Sequence, residues 1–145
     1  MFLQILVGSG LILLSVFVAA LGFLMLELVL QKAHTWLIRE PHRPKLALVL
    51  FGAVLAVLWM ITAGVWIWAI AFRSLGLFVH FEEALYFSLE SFTTLGFGDL
   101  LLPEKWRLLS GFAATNGLLN IGMMTALLME VLRHVRRTQI ESRHM

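Results

Sequence analysis

The densest chemistry in the chain lies in one short stretch, where Glu90 is followed by Thr93, Thr94, Leu95, Gly96, Phe97, Gly98 and Asp99. Consecutive carbonyls of extended chain point opposite ways. Turning them all to one side requires dihedrals of alternating hand, which glycine at alternate positions adopts without steric cost. A column of such carbonyls, repeated around an axis, can replace the hydration shell of a cation. One chain supplies one wall of that column, so a ring calls for several copies in closed cyclic symmetry.

The elements that must hold this stretch follow from the pattern around it. A short helix over 82–93 precedes it, with Glu82 and Glu83 in its first turn, where the helix dipole favours acids. Its C-terminal, partly negative end then faces the column and lowers the cost of a cation there. Three stretches lack any charge, Phe2 to Leu26, Leu46 to Phe72 and Leu108 to Met129. Each reaches the ~20 residues that an α-helix needs to cross the hydrocarbon core of a bilayer. The segment from Arg73 to Arg107 between the last two is too short and too polar to span twice, and reads as a re-entrant loop.

Composition agrees with that layout. Of 145 residues 60% are hydrophobic and 14% charged, and the mean hydropathy is +0.89, outside what a water-soluble domain of this size carries. The expectation is an all-α membrane protein with an extra first helix (1–31), an inner loop (32–45), a pore domain (46–133) and a short basic tail (134–145). Within the pore domain the outer helix covers 46–72, the filter 94–99 and the inner helix 107–133. The absence of cysteine excludes a disulfide framework and thiolate metal sites. A formal net charge of +2 does not point to nucleic acid. The first apolar run has no charged segment before it and no cleavage-type site after it, so it reads as a retained span.

Eight of the eleven Lys and Arg residues lie in the first loop (Lys32, Arg39, Arg43, Lys45) and the tail (Arg133, Arg136, Arg137, Arg143). Basic residues concentrate on the cytoplasmic side, which places the N-terminus and the re-entrant loop outside and the C-terminus inside. The basic inner face suits anionic lipid. Pro41 and Pro44 punctuate the loop. Trp59, Trp66 and Trp68 of the second span, with Trp36 in the loop, read as interfacial anchors. Gly8, Ser15, Ala19 and Gly22 share one side of the first helix, either as a packing seam against the second or as incidental small residues.

The run Thr93, Thr94, Leu95, Gly96, Phe97, Gly98, Asp99 between two membrane helices resembles the selectivity signature of the tetrameric potassium-channel family. The match runs from about Ala84 to Leu132 and is closest to the minimal two-helix bacterial pore. The resemblance implies a homotetramer in which the carbonyls of Thr94, Leu95, Gly96 and Phe97, with the Thr94 hydroxyl, hold K⁺, Gly98 completing the filter. It matches Glu90 and Asp99 to the two carboxyls behind the filter in some members. Gly117 and Gly122 fall at the glycine positions of the inner helix, the former at the usual hinge. Leu95 stands where Val or Ile is usual, and Phe97 where Tyr is. The ring that would brace Tyr is here Phe87, so the pair is apolar at both ends and leaves no donor unmatched. This predicts a cuff held by ring packing.

Taking Leu118 as facing the pore, helical periodicity adds Ile121, Gly122, Thr125 and Met129 to the same side and turns Asn116 and Asn120 away. Glu90, at membrane depth, is expected either to share a proton or water with Asp99, towards which Tyr86 can also donate, or to brace the loop as a protonated carboxyl. Glu27 snorkels or pairs with Lys32. Glu130 and His134 near the inner mouth are candidates for proton-controlled opening, set against a plain solvated tail. The functional expectation is passive K⁺ conduction at a prokaryotic inner membrane, without catalysis and with no cofactor beyond the permeant K⁺. The alternatives are a weakly selective cation channel and a non-conducting scaffold subunit.

Overall fold

A computed structural model describes the backbone of residues 1–38 and 42–141, and the side chains within them except those of 34–38, 42, 43, 134 and 138–141. The expectations attached to Trp36, Arg39, Pro41, Arg43, His134 and Arg143 fall outside the described residues. Four α-helices are present: α1 (Phe2–Ile38), α2 (His42–Ser74), α3 (Phe81–Phe92) and α4 (Leu108–Glu141), with a 3-10 turn at Glu104–Trp106 ahead of α4. Among the described residues there is no strand. Phe2–Ala33, Pro44–Ser74 and Glu104–Arg137 are each long and apolar enough to cross a membrane.

The helices outrun the spans that hydropathy marks. Most of the segment 32–45, expected as a loop, is helical, and α4 carries the basic tail on to Glu141. Charge ends a hydrocarbon span but not a helix, since Glu, Gln, Lys and Arg are good helix formers. Glu27 accepts a hydrogen bond from Gln31 one turn on (3.2 Å), instead of pairing with Lys32. Pro44 sits in the first turn of α2, where a missing N–H breaks no helical bond.

Because lipid is as apolar as leucine, large apolar side chains can stay on the outer surface, while polar ones are drawn between the helices. Leu13 and Phe17 of α1 are exposed, whereas Gln4, Ser15, Ser88, Glu90, Asn116 and Asn120 are buried. The first helix runs parallel to α4 and antiparallel to α2. Gln4 Oε1 accepts from the Leu108 N–H that opens α4 (3.2 Å), and Gly8 lies under the Phe112 ring. Farther along, Asn120 Nδ2 reaches Ser15 Oγ (3.4 Å), and Gly22 lies against the Met60 side chain. The small-residue side of α1 is therefore a seam against both α2 and α4.

Two apolar clusters sit within this frame. One joins Ala19, Val57, Met60 and Met124. The larger packs α3 against α2 and α4 through Trp68, Phe72, Phe78, Phe87, Phe92, Leu109 and Ala113. Trp68 is fully buried there, so it is a core residue and not an interfacial anchor. Trp66 meets the Phe81 ring at 5.4 Å, and Trp59 lies near the middle of α2.

Candidate filter site

The site begins where α3 stops. Thr94 N–H donates to the Ser91 carbonyl and Leu95 N–H to the Glu90 carbonyl, each at 3.0 Å. This is the Schellman pattern, which needs a left-handed residue at its turn. That residue is Thr94, with φ of 60°. The end of α2 has the same pattern, Gly76 N–H donating to Arg73 and Leu77 N–H to Phe72, with Gly76 at φ 70°. Where the chain merely turns it uses glycine, and at the filter it uses threonine in the same strained conformation.

The alternation continues beyond Thr94. Gly96 has φ of 58° and Gly98 of 79°, while Leu95 and Phe97 between them keep negative φ. Left-handed residues at every second position can turn successive carbonyls to one side. The Leu95 and Phe97 side chains are 61% and 69% exposed on the single chain.

Behind this backbone, Glu90 is buried and its Oε1 accepts the Gly98 N–H (3.1 Å). Its Oε2 has no hydrogen-bond partner among the described residues. Glu90 thus braces the backbone at Gly98, and no direct hydrogen bond joins it to Asp99 among the described residues. Asp99 instead accepts from the Tyr86 hydroxyl at Oδ2 (2.9 Å) and from Leu100 N–H at Oδ1 (3.1 Å). The bond to Asp99, foremost, raises the Tyr86 hydroxyl above its ordinary pKa, since it favours the protonated phenol. A cavity of about 220 Å³ adjoins Glu90, Gly96, Gly98 and Arg107 behind the filter.

Phe87 does not reach Phe97 within the chain. Its ring packs on Phe72 and Phe78, both at 5.3 Å. Thr93 returns its hydroxyl to the Leu89 carbonyl (2.7 Å).

Phe92 fixes the depth of α3. Its ring lies against Gly64 of α2, and its carbonyl oxygen touches the backbone at Gly117 of α4 so closely that no β-carbon fits between them. Gly117 is therefore buried against α3 and does not belong to the open side of α4. That side holds Leu118 (66% exposed), Ile121, Gly122, Thr125 and Met129. Asn116 and Asn120 are buried on the other, with Asn120 Nδ2 donating to Asn116 Oδ1 (2.8 Å). Glu130 is exposed near the inner end of α4.

Three anchors were not read from the sequence. Ser88 Oγ donates to the Val65 carbonyl (2.7 Å) and ties α3 to α2. Gln4 was legible as the one amide in an apolar run. Gly64 opposite Phe92 gave no signal beyond being a mid-helix glycine. No curated protein and no solved structure matches the chain, whereas a family profile described as "Ion channel" matches residues 54–134, more than half of it and all of α3, the filter and the apolar part of α4. The chain belongs to this ion-channel family, built on the two-transmembrane potassium-channel plan.

Proposed function

We propose that the protein is a homotetrameric channel that conducts K⁺ passively across the membrane. The alternation of left-handed φ at Thr94, Gly96 and Gly98 carries the reading, because it suits a carbonyl column between two membrane helices. In this reading the carbonyls of Thr94, Leu95, Gly96 and Phe97, with the Thr94 hydroxyl, replace the water around the ion. Glu90 keeps the Gly98 N–H occupied so that the backbone does not relax. The partly negative end of α3 offsets the cost of a cation at mid-membrane. Leu118, Ile121, Thr125 and Met129 line the conduit on the inner side of the filter. The N-terminus lies outside and the basic ends of the helices face the cytoplasm.

A second reading, weak selectivity among monovalent cations, is favoured by one observation. Phe87 is held by Phe72 and Phe78 and offers no polar atom to Phe97, so the filter has no hydrogen bond at that ring and is less rigid there. The reversal potential of the purified protein in a planar bilayer, with K⁺ on one side and Na⁺ on the other, decides between them. A value close to the K⁺ equilibrium potential is expected. A value near zero with clear current selects the second reading, and in that case Phe97→Tyr combined with Phe87→Trp should move it towards K⁺. Absence of current across voltage and pH would overturn both.

A further inference from the structure

A groove of about 530 Å³ runs between α1 and α2, on a part of the fold that no filter residue touches. Val18, Gly22, Met25 and Val29 line it on α1, and Ala56 and Trp59 on α2. No charged side chain and no hydroxyl is among its lining residues, and the Met60 side chain packs over Gly22 at its floor. From Val18 to Val29 the groove follows α1 for roughly 16 Å at ~1.5 Å per residue. That is about half of the ~30 Å hydrocarbon thickness, the depth of one leaflet. An open apolar trough of this length and depth is wide enough for a hydrocarbon chain.

The end of the groove supplies the charge. Lys32 follows Val29 by one turn on the same side of α1, is exposed, and has no ion-pair partner among the described residues. The nearby acid, Glu27, is engaged with Gln31. An apolar trough one leaflet deep, ending at a cation, complements a molecule with a long apolar tail and an anionic head.

We infer that the groove between α1 and α2 binds an anionic phospholipid, one acyl chain lying along Val18 to Val29 and the phosphate against Lys32. The lipid bridges the helix outside the family match to the outer helix of the pore. This goes beyond the conducting function and does not depend on it.

The test is native mass spectrometry of the full-length protein in detergent, titrated with dioleoyl phosphatidylglycerol or dioleoyl phosphatidylcholine. Phosphatidylglycerol should be retained at about fivefold lower concentration, the contribution of one lysine at a membrane surface. Lys32→Gln should bring the two lipids to parity, and Met25→Trp, at an exposed position where folding is not at stake, should reduce retention of both. Equal retention by the unaltered protein, or no change in either variant, would overturn the proposal. So would a disulfide between chains carrying Met25→Cys together with no retained lipid, which would give the groove to a second copy. Retention is read without ion flux, so the result stands apart from whether the pore conducts.

Discussion

Within the proposed filter, Thr94 is the residue whose conformation local stability does not account for. Both α2 and α3 end on the same hydrogen-bond pattern, yet α2 places Gly76 at its left-handed position and α3 places Thr94 there. For an L-residue that conformation costs about 1–2 kcal/mol. Strain retained at one position signals that its side chain is needed. Thr94→Gly should therefore leave the thermal midpoint of the detergent-solubilised protein unchanged or raise it in the absence of K⁺, while reducing the extra stabilisation that added K⁺ gives. Thr94→Ser, which keeps the hydroxyl, should retain most of that K⁺ response. Equal K⁺ responses in Thr94→Gly and the unaltered protein would remove the hydroxyl from the ion sites. The neighbouring Glu90 marks how far residue types alone lead. Its place behind the filter came from the family resemblance, with sharing with Asp99 and bracing of the loop both open, and the atom it braces, the Gly98 N–H, leaves no mark in a sequence.

At the scale of the elements, α3 is held at its depth by close contacts rather than by a tight loop. Phe92 sits between Gly64 and Gly117, and the two glycines do not have equal latitude. A β-carbon at Gly64 would meet the Phe92 ring at 2.9 Å, whereas one at Gly117 would overlap the Phe92 carbonyl, which is backbone. Around Gly122 there is nothing within 4 Å. The expectation is a contrast between the two inner-helix glycines. Gly117→Ala should destabilise by about 1–3 kcal/mol, as overpacked sites do, and lower the yield of folded protein. Gly122→Ala should be neutral or stabilising by up to about 1 kcal/mol, because alanine is the better helix former. Thermal unfolding of the two variants side by side checks this, and equal effects would leave Gly117 as a matter of helix flexibility alone. The same contacts explain what was legible at this scale. The three long helices followed from uninterrupted apolar runs, and α3 from the acidic first turn of the segment between the last two. Their ends did not, because Lys32 and the basic tail leave the hydrocarbon without leaving the helix. The tie of α1 to α4 through Gln4 and Ser15 joins residues a hundred positions apart, and no local pattern encodes it.

For the whole molecule, the unsatisfied surface argues for assembly. The single chain leaves Leu95, Phe97, Leu118 and Met129 open along one side, beside a filter backbone that can form only one wall of an ion site. The opposite side, with Leu13 and Phe17 of α1, is equally apolar, so hydrophobicity alone does not say which side meets other copies and which meets lipid. The proposed function makes the choice: if Thr94 to Phe97 form a carbonyl column, their side meets the other copies, because such a column acts on a cation only when walls face one another across an axis. The chain contains no cysteine, so single cysteines can report on this without interference. Light scattering in detergent, corrected for bound detergent, should give a protein mass near four times 16.4 kDa. Under oxidation Met129→Cys should yield disulfide-linked dimers, since its copies converge near the axis, whereas Leu13→Cys on α1 should not. A disulfide requires α-carbons within about 7 Å, so random encounter in the membrane gives a much weaker signal than a fixed interface. If Leu13→Cys cross-links and Met129→Cys does not, the copies meet through α1 and no ring of carbonyls forms, which would remove the basis for conduction through this filter.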